Sequence, residues 1–203
     1  MNLHAPQAVF LVGLLVFVGI RSLYQRRAAG TTTTVTRSTG QDRFLILLVA
    51  LGQLVLPLLY LFSPWLDFAN HESPFLAPWL GAATWLIGLG LFWRSHADLG
   101  IHWSVTLELR STHRLVTRGV YRLVRHPMYA AFILFGVAQA LLLPNWIAGS
   151  SMMVAVALLC AVRIPNEEAM TCGFFGQEYR DYMQRTGSVI PRLARQGRSC
   201  VPD

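Results

Sequence analysis

Residues 127–162 read PMYAAFILFGVAQALLLPNWIAGSSMMVAVALLCAV, and no Asp, Glu, Lys or Arg interrupts them. As one helix this block would extend roughly 54 Å at 1.5 Å per residue, far beyond a hydrocarbon core of about 30 Å. It therefore has to fold back on itself. Pro144 and Asn145 stand at its middle; a proline removes a helical N–H and asparagine favours turns and caps. The expected unit is a hairpin of two apolar helices.

Working outward, three more uncharged blocks precede the hairpin: Leu3 to Ile20, Phe44 to Leu66 and Ser73 to Trp93. Each is long enough to cross a bilayer. The first has no Arg or Lys before it and no small-residue cleavage site after it, so it reads as a retained span rather than a signal peptide. Arg21, Arg26, Arg27 and the threonines from Thr31 to Thr34 read as a polar linker. The expected fold class is an all-α integral membrane protein with five transmembrane helices. Residues 1–93 hold three spans and their loops. Residues 94–203 divide into a polar segment (94–126), the hairpin (127–162) and a C-terminal polar segment (163–203).

Composition agrees. The 203 residues are 54% hydrophobic and 13% charged, about half the charged fraction of a soluble domain. All 17 basic residues are Arg, and with 10 acids the formal charge is +7. In so apolar a chain that surplus points to an anionic leaflet and away from nucleic acid. Five spans with the N-terminus outside place every Arg on the cytoplasmic side and only Asp67 and Glu72 in the outer loops, as the positive-inside rule requires. Trp65, Trp79 and Trp146 then fall near the outer boundary, and Trp93 and Trp103 near the inner one. An all-Arg, short-looped chain of this kind reads as a bacterial inner-membrane protein. Cys160, Cys172 and Cys200 have no metal-like spacing and read as reduced thiols; no metal site is expected.

Two clusters can carry chemistry. The first runs from His113 to Tyr129 and ends in Arg125-His126-Pro127 at the start of the hairpin. Pro127 suits a first helical turn, and a helix start offers N–H donors and a positive dipole end to an anionic ligand group. The plain alternative is a basic juxtamembrane stretch. The second cluster is Arg163-Ile164-Pro165-Asn166-Glu167-Glu168. Adjacent carboxylates beyond a span need cationic company; the plain alternative is a new helix capped by Asn166 with the acids in its first turn. Farther on, Tyr179, Tyr182 and Met183 share a helical face that reads as packing.

His113, Leu115-Val116-Thr117, Gly119-Val120-Tyr121, Arg125-His126-Pro127 and Tyr129, then a hairpin, Arg163, Glu167-Glu168, Phe174-Phe175-Gly176, Glu178-Tyr179, Tyr182 and Ile190-Pro191 appear in that order. The pattern resembles the C-terminal half of the isoprenylcysteine carboxyl methyltransferase family and, more loosely, the membrane phospholipid N-methyltransferases. It covers about Asp98 to Leu193. The resemblance implies a membrane enzyme with small cytoplasmic cofactor-binding segments that moves a methyl group from S-adenosylmethionine to an amphiphilic or prenylated acceptor in contact with membrane lipid, first of all the carboxylate of an isoprenylcysteine-like substrate. It implies cofactor contacts at His113, Leu115, Val116, Tyr121, His126, Pro127, Met128, Tyr129 and Glu167. Arg163 matches a substrate-side arginine, and Glu168 joins it as a catalytic candidate. The oligomeric state is left open.

An acceptor carboxylate is already ionised at neutral pH, so its methylation needs in-line approach and exclusion of water rather than a strong base. A lipid amine or a thiol must first lose a proton, and His126 or Glu168 is then the candidate base. A sterol-type reductase using reduced nicotinamide competes, although that family carries Asn where Met128 stands. A non-enzymatic scaffold is the remaining reading.

Overall fold

The computed structural model describes residues 4–28, 35–36, 40–99, 108–109 and 115–192. The hairpin is there. Helix α5 (Pro127–Leu142) and helix α6 (Trp146–Phe175) run antiparallel, with Pro144 and Asn145 in the turn. Asn145 caps α6: its Oδ1 accepts from the N–H groups of Ile147 and Ala148 at 3.1 and 2.9 Å. Its amide donates to the Leu66 carbonyl at 2.6 Å and to Asn70 Oδ1 at 2.9 Å. One side chain thus sets the turn and ties it to a neighbouring loop.

Helix α1 (Ala5–Ala28) begins close to the expected first span but continues through Arg21 to its end, where Arg26 and Arg27 occupy the last turn. Cations are favoured at that negative end of the helix dipole. The second span is a continuous rod of helix α2 (Gly40–Ala50), a π-helical segment (Leu51–Val55) and helix α3 (Leu56–Phe62). It starts before Phe44 and stops before Leu66, because Ser63 turns to extended backbone and Pro64 opens a 3₁₀ turn over Pro64–Ala69. Helix α4 (Ala77–Leu99) follows.

The rods pack around an aromatic centre in which Trp85 and Phe92 of α4 meet Phe10 and Phe17 of α1 and Phe135 of α5. Outward faces are apolar too: Leu15, Leu86 and Ile87 are more than 60% exposed. Large aliphatic side chains facing outward along whole helices suit a lipid solvent rather than water. The all-helical reading holds, with one small addition: the two-residue strands β1 (Val35–Thr36) and β2 (Glu108–Leu109) pair antiparallel. Among the described residues, three stretches, Ala5–Arg27, Gly40–Phe62 and Trp146–Phe175, are long and apolar enough to cross a membrane. Helix α5 is apolar but has 16 residues.

Two expectations are corrected. The fifth apolar helix does not end at Val162, and Asn166 caps nothing: α6 passes through Pro165 to Phe175. Proline opposes helical continuation, yet Arg163 and Glu167 bridge it at i, i+4 with 3.2 Å between them, and Thr171 Oγ1 donates back to the Glu167 carbonyl at 2.6 Å. Cys172 is disulfide-bonded, whereas Cys160 is free. Disulfide pairing depends on Cα separation in space, which sequence spacing did not reveal.

The described arginines gather at one end of the bundle: the C-terminal ends of α1, α4 and α6 and the N-terminal ends of α2 and α5. Trp65, Trp79 and Trp146, each about 70% exposed, stand at the other end. Trp103 lies outside the described residues.

Candidate active site

At the arginine-rich end, the chain leaving α4 returns through a short 3₁₀ turn (Gly119–Arg122) before entering α5. Gly119 has φ +60°, and a Cβ there would stand 2.0 Å from Asp98 Oδ2. Only glycine suits both the left-handed backbone and the close approach. Asp98, paired with Arg94 at 3.1 Å, accepts from the Val120 N–H at 2.9 Å. The turn is pinned to the end of α4.

From there the backbone runs beside the segment that follows helix α7 (Gln177–Arg185). Val124 bridges Gly187, the Arg125 N–H donates to the Gly187 carbonyl at 2.8 Å, and the His126 N–H donates to the Ser188 carbonyl at 3.0 Å. The two polar segments on either side of the hairpin therefore form one structure. Helix α7 holds the assembly from below: Tyr179, Tyr182 and Met183 are buried as the sequence suggested, and the Tyr182 hydroxyl donates to the Tyr121 carbonyl.

Helix α6 brings the acid pair onto this platform. Glu168 Oε1 accepts from Arg125 Nε at 3.0 Å and Nη2 at 2.7 Å, and lies 3.1 Å from His126 Nε2. Arg125 is itself held by donating Nη1 to the carbonyls of Met183, at 3.3 Å, and Thr186. Glu167 accepts from the Tyr129 hydroxyl and stands 3.2 Å from Arg163 Nη2 and 3.6 Å from His126 Nδ1. The Glu167 and Glu168 side chains keep 22% and 18% exposure, whereas Arg125, His126 and Arg163 keep 8% each. The carboxylates are the accessible members.

His126 is squeezed between opposing influences. Burial disfavours its charged form, but hydrogen bonds and charges from Glu167 and Glu168 outweigh burial and raise its pKa above the ordinary value. The two acids favour the protonated form of the imidazole. Burial also raises the phenols of Tyr121 and Tyr179, and that of Tyr182 to about 12; the hydroxyls of Tyr121 and Tyr182 donate to backbone carbonyls.

The structure brings together His126, Pro127, Tyr129, Arg163, Glu167 and Glu168. Met128 is half-buried in the first turn of α5, and Val116 is half-buried in the approach to the 3₁₀ turn. Leu115 instead packs on Cys172, Tyr179, Tyr182 and Met183. Tyr121 is buried against the end of α4, its hydroxyl 3.5 Å from the Ser95 carbonyl. His113 lies outside the described residues. Sequence reasoning assigned no role to Arg125, although it required cationic company for the acids. It also passed over Asp42 in the first turn of α2, 3.8 Å from Arg163 Nε. A lone acid beginning an apolar span was the available signal.

A carboxylate pair with accessible oxygens, flanked by guanidinium groups and an imidazole whose pKa the acids raise, can hold a zwitterionic ligand: the acids take its ammonium and the cations its carboxylate. The chemistry of this donor set fits the amino acid end of S-adenosylmethionine.

Comparison with known proteins bears out the resemblance. Residues 82–172 match the model of the isoprenylcysteine carboxyl methyltransferase (ICMT) family. Protein-S-isoprenylcysteine O-methyltransferase B of Arabidopsis thaliana is 42% identical over 87 residues, which is 43% of this chain and 44% of that protein. The enzymes of that name from Tribolium castaneum and Homo sapiens are each 32% identical over 140 residues, 64% of this chain and 49% of theirs. The chain thus spans about half the length of the curated relatives it matches. A solved structure of the eukaryotic intramembrane Ras methyltransferase ICMT shares the fold, with TM-score 0.55 and 24% identity over 88% of this chain and 67% of that one. The matched segment contains α5, the Arg125-His126-Pro127 corner and the acid pair, and it stops short of α7 on one side and of Asp42 on the other.

Proposed function

We propose that this chain, whose residues 82–172 match the isoprenylcysteine carboxyl methyltransferase family, is a membrane methyltransferase that esterifies the carboxylate of a prenylated cysteine or a similar amphiphile. The observation that carries the reading is the pair Glu167 and Glu168, gripped by Arg125, His126, Tyr129 and Arg163 inside that segment. Residues 94–203 form the catalytic region and residues 1–93 its membrane support. All five apolar helical rods cross the bilayer, with the arginine-rich end and the C-terminus cytoplasmic and the N-terminus outside, which satisfies the positive-inside rule. A bacterial inner membrane fits the all-Arg composition; the similar enzymes quoted above are eukaryotic.

When bound, S-adenosylmethionine supplies an electrophilic methyl on a sulfonium, so the C–S bond breaks as the carboxylate O–C bond forms and no proton moves. Glu167 holds the cationic amino group, and the Tyr129 hydroxyl and Arg163 fix where its carboxylate points. Arg125 keeps Glu168 ionised and in place through two N–H donors, the geometry in which arginine exceeds lysine. Val116, Pro127 and Met128 would provide apolar walls, and His126 would complete the cofactor side. Arg163 orients the acceptor carboxylate. The prenyl chain lies among the apolar helices, where its burial is favourable.

A carboxylate acceptor is preferred over an amine or thiol for a specific reason. His126 already favours its proton, and Glu168 already accepts from Arg125 and His126. Neither is poised to take a proton from an acceptor.

The test is calorimetric titration of the full-length protein in lipid nanodiscs with S-adenosylhomocysteine, beside methyl transfer to N-acetyl-S-farnesylcysteine. Saturable binding that Glu167→Ala abolishes, with ester product from wild type, is the expected result. Folded wild-type protein that binds no S-adenosylhomocysteine overturns the proposal, and NADPH becomes the next titrant.

A further inference from the structure

The inward face of α1 carries Phe10, Leu14, Phe17 and Tyr24, none more than 8% exposed, at steps that keep one side of a helix against its neighbours. Arg21 fills the gap in that series, four residues after Phe17 and three before Tyr24. It is half-buried, whereas Arg26 and Arg27 at the end of the same helix are exposed. Its depth follows from the rings on either side. The Phe17 ring lies 4.8 Å from that of Phe92 on α4 and 6.3 Å from that of Phe132 on α5, and the Tyr24 ring lies 5.0 Å from that of His96. One turn from Phe17 toward the charged end, Arg21 therefore stands at the level of His96 and Tyr129, each one turn along its own helix. Tyr129 is the residue whose hydroxyl donates to Glu167. The Arg21 guanidinium is in electrostatic range of Arg163 and His96. Arg163 has Asp42 and Glu167 beside it at 3.8 and 3.2 Å, but Arg21 has no carboxylate partner among the described residues. A cation turned into a membrane bundle beside another cation is costly unless an anion is brought to it.

We propose that Arg21 is an acceptor-binding residue: its guanidinium takes the anionic head of the amphiphile, the carboxylate to be methylated, from the α1 side of the site, while Arg163 stays on Glu167. This inference rests on the methyltransferase reading. An acceptor whose tail lies in the bilayer reaches a cation where the α1 stripe changes from Phe17 to Arg21, and a planar guanidinium matches a carboxylate in two-point contact. Methyl transfer forms one O–C bond and breaks one C–S bond with no proton moved, and it turns the anionic head into a neutral ester. The attraction to Arg21 therefore ends with the reaction and does not retain the product. Because the acceptor's charge is greatest before transfer, Arg21 favours acceptor binding rather than the transition state. A phospholipid phosphate presents similar charge chemistry, and the experiment separates the two. The first span then completes the site rather than merely anchors it.

The experiment is steady-state kinetics of full-length Arg21→Gln in lipid nanodiscs with N-acetyl-S-farnesylcysteine, with the carboxamide of that compound as competitor and S-adenosylhomocysteine titrated alongside. The acceptor KM should rise roughly tenfold, the scale of one charge-assisted contact, with kcat and the S-adenosylhomocysteine Kd within about twofold. The carboxamide has no charge to lose, so its inhibition constant should stay put and the preference for carboxylate over carboxamide should shrink by the same factor as KM rises. The thermal midpoint should hold or rise, because the variant removes a cation that no described carboxylate compensates. Arg21→Lys should fall between wild type and Arg21→Gln, keeping the charge without the fork. An unchanged acceptor KM, an equal loss for carboxylate and carboxamide, or a KM loss that comes with a lower thermal midpoint overturns the inference. A loss seen in phosphatidylglycerol nanodiscs and absent in phosphatidylcholine ones assigns Arg21 to an anionic lipid headgroup and overturns it as well. If Arg21→Gln does not fold, Arg21→Lys decides, and a wild-type acceptor KM there overturns the inference. A wild type that binds no S-adenosylhomocysteine instead removes the methyltransferase reading itself, so the two failures are distinct.

Discussion

The α5–α6 hairpin carries two buried polar clusters, one toward its turn and one at its open end, and they are built from different chemistry. Toward the turn the groups are neutral. Gln139 Nε2 donates to the carbonyls of Gly52 and Ala148 at 2.9 and 2.7 Å, Ser151 Oγ donates to the Gly52 carbonyl at 2.7 Å, and Asn145 joins Leu66 and Asn70. These donors end on neutral oxygens, the carbonyls of Gly52 in the second span, Ala148 in α6 and Leu66 in the 3₁₀ turn and the Asn70 amide oxygen, and Gln139 and Asn145 are sealed at 0% and 1% exposure. At the open end the groups are ionic and the acids remain partly exposed. A neutral amide on a carbonyl fastens helices at modest desolvation cost, whereas a cluster of charges is expensive to enclose. The neutral cluster locks the fold, and the charged one is shaped for a ligand.

The sharpest way to break that contrast is Arg125→Ala. It removes both donors to Glu168 and both ties to the α7 exit, leaving a carboxylate in a partly buried place; losing one partner of such a pair costs about 3–5 kcal/mol. S-adenosylhomocysteine binding should fall below detection. Arg125→Lys should fail to restore it, because an ammonium cannot reproduce the forked contact. A lysine variant with wild-type affinity would show that charge alone suffices and that the geometry of the platform is incidental.

Asn145→Ala should separate the clusters from the other side. Loss of the α6 cap alone is worth about 1 kcal/mol, and the orphaned Leu66 carbonyl adds about 1–3 kcal/mol. Denaturation in mixed micelles should therefore shift to lower temperature while the acceptor KM and the S-adenosylhomocysteine Kd stay at wild-type values. A changed Kd with unchanged stability would mean that the turn end communicates with the charged end.

The two clusters were unequally legible in the sequence. The hairpin break was readable because Pro144 and Asn145 interrupt an uncharged run too long for a bilayer, and the residues of the charged cluster stood in two ordered motifs. The partners were not readable. That Arg125 rather than Arg122 or Arg118 meets Glu168 depends on the backbone pairing of residues 124–126 with Gly187 and Ser188, a contact between segments separated by the entire hairpin. The continuation of α6 through Pro165 was hidden for a related reason. Local propensity argues for a stop there, and the contacts that favour continuation come from Arg163, Arg125 and His126. Gln139 gave no signal, since a single amide in an apolar run does not reveal which helix faces it.

Gly119→Ala probes the smaller contact that positions the charged platform. The left-handed backbone at φ +60° and a Cβ 2.0 Å from Asp98 Oδ2 together should cost about 1–3 kcal/mol, measured as a lower denaturation midpoint. Because the strain sits seven residues before His126 on the segment that leads into it, S-adenosylhomocysteine affinity should fall with stability. A loss of stability at constant affinity would place the turn in the structural class with Asn145.

The mildest perturbation is pH, and it acts on one cluster only. His126 has its pKa raised in the folded protein by Glu167 and Glu168 against the opposing effect of burial. A raised folded-state pKa contributes stability that is fully present below the unfolded value of about 6.5 and is lost as pH rises through the folded value. Wild type should therefore lose stability as pH climbs above about 6.5, to the extent set by the proton on His126. His126→Gln, which keeps a donor but cannot titrate, should flatten that part of the profile. In the Asn145→Ala background the wild-type slope should persist, shifted down by a constant amount, because neutral amides carry no proton linkage. A slope that survives in His126→Gln would assign the linkage to another group and remove the imidazolium from the account of how the acid pair is held.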